Sequence, residues 1–157
     1  MSAEIVFENE EIKDFLKNLS KKLKTIKDGE RKYTGLLSAI IYKDVVNHFE
    51  RQEGSEGKWA HWSYYYTVQM EKRGKGGNKI LQDSGRLRNT FKPTNVRNTK
   101  DGIFWFNDAV TKKGFPYAWA HNEGDGNLPK RDFMWASDGA QESIAEKTLQ
   151  FMIDEGV

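Results

Sequence analysis

His121-Asn122-Glu123 places an imidazole two residues from a carboxylate, with Asp125 close behind. This is the His-x-Glu half of a zinc deaminase, whose other half is a Pro-Cys-x-x-Cys that supplies thiolate ligands. The chain has no cysteine. That match therefore fails, and with it any disulfide, thiolate metal site or cysteine nucleophile. His121, Glu123 and Asp125 still offer nitrogen and oxygen donors, the set a metal-assisted hydrolase would use. All three fall in one loop, however, and only His48 and His61 remain as further imidazoles. A loop histidine hydrogen-bonded to backbone is the simpler reading.

Other fragments fare no better as catalytic sets. Gly74 to Lys79 combines Gly and Lys, but a phosphate-binding loop needs Gly, four residues, then Gly-Lys-Ser/Thr, and here Ile80 and Leu81 follow Lys79. Ser84-Gly85 does not lie in a Gly-x-Ser-x-Gly elbow. A Ser-His-Asp set meets only in space, so the sequence does not reveal one. The expectation is a non-enzyme with no catalytic residue, metal or cofactor. Nucleic acid is the stronger competitor. Lys72, Arg73, Lys75 and Lys79 form a basic loop beside Trp59, Trp62, Tyr64, Tyr65 and Tyr66, a pairing that suits phosphates and stacked bases of a single strand. Against it, the formal net charge of only +2 leaves no wider basic footprint.

These residues must be positioned by one domain, since 157 residues suit a single core. Hydrophobic residues are 37% and charged residues 31%, so the core is thin and leans on its 13% of aromatics. Thin cores are common in chains that bury more in an oligomer. The run Lys72–Lys79 is basic and the stretch 138–155 mostly acidic. A head-to-tail contact between copies could use that asymmetry, but two solvated surfaces are the better reading. No signal-peptide pattern opens the chain, and no apolar run approaches the ~20 residues of a membrane span. Synthesis and folding in cytosol are expected.

Glu4 to Glu8 reads as a short strand or a leader. Asn9 suits a helix N-cap, followed by Glu10 and Glu11 where the helix dipole favours acids. Ile12, Phe15, Leu16, Leu19, Leu23 and Ile26 make one apolar stripe, which Asp28-Gly29 ends. A second, more buried helix is predicted from about Arg31 to Arg51, with Tyr33, Leu37, Ile40, Ile41, Val45 and Phe49 on one face. Gly54 to Gly57 is a breaker. Tyr64 to Lys72 fits a short helix and Gly74 to Gly77 a flexible loop. Leu87 to Arg97 alternates loosely, turn residues occupy 98–102, and Ile103 to Phe106 is β-rich. An antiparallel hairpin near 88–109 follows. The segment 115–121 fits a strand or a helix, Gly124 to Asn127 a loop, and 138–155 a helix capped by Asp138. Ala140, Ile144, Thr148, Phe151 and Met152 form its inner face. The class is α+β: N-terminal helices over 9–52, a basic loop over 72–79, then a central antiparallel β-sheet with a C-terminal helix packed on it over 80–155.

Three segments in order resemble the phage virion morphogenesis family of tail-completion proteins. Residues 79–91, with Ile80-Leu81, Ser84-Gly85 and Leu87, are similar to its Ile-Leu-x-x-Ser/Thr-Gly-x-Leu-x-x-Ser stretch. Tyr117-Ala118-Trp119-Ala120-His121-Asn122-Glu123-Gly124 resembles Tyr-Ala-x-x-His-Gln-x-Gly, with Asn122 where Gln is usual. Pro129-Lys130-Arg131-Asp132-Phe133-Met134 resembles Pro-x-Arg-x-Phe-Leu-Gly, with Trp135-Ala136 replacing a Gly-containing end. Trp59 or Trp62 corresponds to the family's Trp before the basic loop.

The resemblance implies a virion structural protein of the neck. Copies would form a ring between a tail-tube or tail-terminator protein and a head connector or neck protein. DNA would pass through without being read. Its motif residues Ser84, Gly85, Leu87, Tyr117, His121, Gly124 and Arg131 then carry structural roles. His121 fixes the Gly124–Gly126 loop to backbone. Arg131 anchors the entry to the last helix through its fork of donors to carbonyls or a carboxylate. Phe133 and Trp135 alternate with exposed Asp132 and Met134, or pack at an interface. Lys72, Arg73, Lys75 and Lys79 touch either a neighbouring subunit or passing DNA. The protein is then located in the virion, and in host cytoplasm during assembly.

Overall fold

The computed structural model describes residues 1–5, 10–26, 28–99 and 102–156. Its spine is α2 (Gly29–Arg51), preceded by β1 (Ala3–Glu4) and α1 (Glu10–Leu23). Tyr33, Leu37, Ile41, Val45 and Phe49 recur every four residues along α2, and all are buried. Thr34, Ser38 and His48 fill the neighbouring stripe, so polar groups enter the core and need partners. Ser38 Oγ accepts Trp105 Nε1 at 2.9 Å. The Tyr33 and Thr148 hydroxyls share a hydrogen bond of 2.8 Å.

The break between the first two helices falls where the sequence places it, but Gly29 opens α2 instead of closing α1. Asp28 takes a left-handed φ of 59° as its N-cap. A Cβ at Gly29 would lie 2.8 Å from Ile26 Cβ, so only glycine lets the two helices turn this closely. Leu19 and Leu23 bury, whereas Phe15, expected on the same stripe, is 46% exposed. The expected cap Asn9 lies outside the described residues, as do Val6 to Glu8 of the first strand and Lys100 and Asp101 of the later turn.

After α2 comes a small antiparallel hairpin, β2 (Glu53–Gly54) and β3 (Gly57–Lys58), so the breaker cluster is its tip. Then follow α3 (Tyr64–Lys72) and α4 (Arg86–Thr90). The strand expected from Leu87 is instead a helical turn. Leu87 and Phe91 both bury four residues apart, a helical spacing that outweighs the loose alternation. Gly85, at φ 70°, makes the turn into it.

The hairpin proper joins β4 (Val96–Thr99) to β5 (Gly102–Asn107), with Val96 opposite Trp105 and Thr99 opposite Gly102. The sheet is antiparallel in the order β1-β5-β4. Ile103, Trp105 and Asn107 face inward, while Arg97 covers the half-buried Phe106 ring at 4.6 Å on the other side. Residues 117–123 are helical, α5 (Tyr117–Glu123), and the last element is α6 (Asp138–Glu155). The α+β layout of N-terminal helices, central sheet and C-terminal helix therefore holds. Within it α6 lies chiefly along α2, with Ala140, Ile144 and Thr148 buried and Phe151 set 5.4 Å from the Tyr33 ring. Its N-cap is Ser137, whose Oγ accepts Ala140 N at 3.2 Å, so Asp138 sits in the first turn. Ser137 is in turn held by Asp44 of α2, at 2.8 Å to its N and 2.6 Å to its Oγ.

Candidate functional site

The connection 129–137 crosses the C-terminal end of α2 without regular structure, and side chains must therefore satisfy its backbone. Asn122, 4% exposed on α5, accepts both Phe133 N at 3.0 Å and Met134 N at 2.9 Å with its Oδ1. Its Nδ2 donates to Glu123 Oε1 at 2.7 Å. Arg131 N donates to His121 O at 2.8 Å. The Arg131 guanidinium, 6% exposed, turns the other way and donates to Ala60 O at 2.9 Å and His61 O at 3.2 Å. Trp59 Nε1 donates to Asp132 O at 2.9 Å, and its ring meets Phe49 edge-on. Asp132 also accepts from the N and Oγ of Ser55. At Gly54 a Cβ would fall 1.9 Å from Asp132 Oδ1, so the hairpin tip must be glycine. His48 Nδ1 donates to Phe133 O at 3.0 Å while its ring stacks on Trp135 at 4.2 Å.

These ties, with Ile80 N donating to Gln52 Oε1 at 2.7 Å and Gln82 Nε2 to Phe49 O at 2.8 Å, bring the loop before α3, the loop before α4, α5 and the 127–131 connection around one cleft of about 760 Å³. Ser84, Leu87, Tyr117, His121 and Arg131 all line it, beside Trp62, Tyr66 and Leu128. Residues from all three segments singled out in the sequence thus meet in one place. Gly85 and Gly124 stand behind it as turns. Gly124, at φ 81°, ends α5, and a Cβ there would crowd Lys130 N at 3.2 Å.

Roles differ from expectation in two places. The His121 side chain does not tie down the following loop: its Nδ1 is buried without a hydrogen-bond partner. Burial, with the Arg131 charge adding, holds the imidazole below its ordinary pKa. The loop is closed by backbone, with Asp125 and Leu128 bridging each other, and Asn122 is the anchoring side chain. The Arg131 guanidinium ties the final connection to the carbonyls of Ala60 and His61, in the loop before α3. Met134 is buried at 3% instead of exposed, because the segment does not alternate as a strand.

Tyr117 is half-buried at the start of α5, and that burial raises its phenol pKa against the opposing pull of Arg86. Ser84 Oγ accepts Arg86 N at 3.3 Å. Among the described residues, no hydrogen bond joins Ser84 to His121 or His121 to a carboxylate, so the orienting contacts of a Ser-His-Asp set are missing. Nor do three or more His, Asp or Glu side chains gather as a ligand set among the described residues, which leaves His121, Glu123 and Asp125 apart as metal donors.

The basic loop is divided. Lys75 pairs with Asp83 at 2.6 Å, and Lys79 pairs with Glu50 at 2.6 Å. The Lys79 hydrogen bond and the nearby Arg88 charge pull the Glu50 carboxyl below its usual range. Lys72 and Arg73, at the end of α3, are exposed and make no ion pair among the described residues. The aromatic cluster divides as well. Trp59 is core, Trp62 packs edge-on against Tyr66 in the cleft wall, and Tyr64 and Tyr65 are 87% and 74% exposed. A phosphate-tracking groove would keep its cations free beside its stacking faces, and here half of them are taken.

Five of the lining residues, Ser84, Leu87, Tyr117, His121 and Arg131, were singled out in the sequence, but Asn122 was missed as the tie between α5 and the final connection and seen only as a departure from a familiar Gln. Asp44 and His48 were missed as well. Their spacing of four on one helix was a usable signal. The chain matches no protein-family model, no curated protein and no solved structure.

Proposed function

We propose that this chain is a non-enzymatic bacteriophage structural protein of tail completion or the neck, forming a ring that joins the tail to the head connector. One observation carries the reading. The three segments that resemble the tail-completion family, distant in sequence, converge on a single cleft, and Asn122 and the Arg131 amide tie the second segment to the third. Motif residues in such a protein serve shape, and the Ser84, Asn122 and Arg131 side chains are spent on backbone.

The partners are further copies of the chain, a tail-tube or tail-terminator protein on one face, and a head-connector protein on the other. Lys72 and Arg73 remain available for a neighbour or for non-specific contact with passing DNA. The protein would reside in the virion, having assembled in host cytoplasm. Among the described residues, no helix is long and apolar enough to cross a membrane. The alternative, a single-strand nucleic-acid module, is weakened by the pairing of Lys75 and Lys79.

Electron microscopy of phage lacking the gene tests the proposal. Separate heads and tails, or tails with defective ends, are expected. Normal infectious particles would refute it.

A further inference from the structure

We propose that the outer face of α6, centred on Leu149 and Ile153, docks into the cleft of a second copy of this chain. The inference rests on the ring reading above and names the surface that would build the ring.

The inner face of α6 is spent on α2. Its outer face carries Glu142, Glu146, Leu149 and Ile153, at helical spacings of three and four, and all are exposed. Leu149 and Ile153, one turn apart, are 62% and 66% exposed. A single exposed apolar side chain is ordinary, but two stacked on one turn and flanked by acids make the anchor pattern of a helix that lies in a groove. Lys147 is the only basic residue of the helix.

The cleft offers the complement. Trp62, Tyr66, Leu87, Tyr117, Leu128 and Pro129 give it apolar walls. Arg86 on its wall is exposed and has no ion pair among the described residues, like Lys72 and Arg73 at the end of α3. Asp83, the one carboxylate lining the cleft among the described residues, already binds Lys75. An apolar centre with acids beside it thus faces an apolar cleft that carries the unpaired Arg86 on its wall, which favours this pairing and its register.

The two surfaces cannot meet within one chain. The Tyr33–Thr148 bond fixes Leu149 beside the first turns of α2. The Phe49–Trp59 contact and the bond from Gln82 Nε2 to Phe49 O fix the cleft at the other end. Tyr33 and Phe49 are sixteen residues apart, roughly 24 Å along a helix. The occupant is therefore another copy, and because the two patches differ the contact is heterologous, the type that propagates into a ring or a filament.

The test uses the full chain with a photo-crosslinking residue at position 153. Crosslinks should form between copies and map to the walls around Trp62, Tyr66, Tyr117 and Leu128. In sedimentation equilibrium, Leu149→Lys should weaken self-association by about tenfold or more. Arg86→Glu and the pair Glu142→Lys with Glu146→Lys should each weaken it, and combining all three in one chain should restore part of the loss. These positions are exposed, and unchanged thermal melting of each variant monitors folding. A chain that stays monomeric up to about 1 mM, or crosslinks that land outside the cleft, overturns the proposal. If rings form through another surface, this contact fails while the phage role stands. If the contact is found but phage lacking the gene assemble normally, the role fails while the contact stands.

Discussion

Replacing Asn122 with Ala removes a single oxygen that two buried amides share. Asn122 Oδ1 accepts Phe133 N and Met134 N, and those residues are 0% and 3% exposed. Neither amide can turn to solvent without moving a core side chain. A buried donor left without a partner costs about 1–3 kcal/mol. Two such donors give roughly 2–6 kcal/mol, the lower figure applying if a water enters the vacated space. That is a large share of the stability of a small domain, about 5–15 kcal/mol. With a mid-range urea slope of about 2 kcal/mol per molar, the unfolding midpoint should fall by about 1–3 M. Asn122→Asp is the informative comparison. It keeps an acceptor for both amides but loses the Nδ2 bond to Glu123 and sets a carboxylate beside it, so its loss should be smaller. Equilibrium unfolding followed by tryptophan fluorescence measures both. An Ala variant within about 0.5 kcal/mol of the parent, the range of ordinary surface substitutions, would refute the claim that Asn122 ties the final connection to α5.

Three further outcomes follow from groups in the core and the cleft. Tyr33→Phe leaves the Thr148 hydroxyl unpaired and should cost about 0.5–1.5 kcal/mol in the same assay. Burial raises the Tyr33 phenol to about 12. Its contribution is therefore present below pH ~10 and lost as pH rises from there through the folded value, a slope that should flatten in the Phe variant. Arg131→Lys cannot reproduce the two-carbonyl fork to Ala60 and His61 and should lose about 1–3 kcal/mol, read as a lowered melting temperature. An unchanged melt would show the fork to be dispensable. His121, held low by burial, should titrate below pH ~6.5 by NMR. Its stabilising share is present above ~6.5 and lost as pH falls through the folded midpoint, and a midpoint at or above 6.5 would contradict its buried environment.

Elements whose burial is periodic were readable from the chain. The four-residue recurrence from Tyr33 to Phe49 announces α2, and Ala140, Ile144 and Thr148 announce the inner face of α6. Where two periods compete the outcome was not readable. Leu87 to Arg97 alternates loosely, yet Leu87 and Phe91 bury together as a helical pair. The cleft was legible as three separate stretches but not as a cavity. Its struts end on carbonyls of Ala60, His61, His121 and Asp132, and a carbonyl oxygen carries no signature of residue type. The basic loop misled for a related reason. Glu50, which takes Lys79, lies 29 residues upstream on α2, so local charge counting left that lysine free.

Both surfaces of the proposed contact hang from α2, which makes the rigidity of that helix a geometric quantity. A heterologous contact closes into a ring only if the rotation between neighbours is the same at every step. The spacing and twist between the α6 face and the cleft are set by the stretch from Tyr33 to Phe49, and Gly35 stands at its start. Gly35 is exposed, and a Cβ built on it meets nothing within 4 Å. A glycine inside a helix weakens it by roughly 0.5–1 kcal/mol relative to alanine, because the unfolded chain has more freedom to lose. Gly35→Ala should therefore raise stability by about that amount without touching either docking surface. Self-association should be unchanged if α2 acts as a strut. A variant that folds more stably yet associates less would place position 35 in a contact of its own, and one that folds less stably would show that the space beside it is not open.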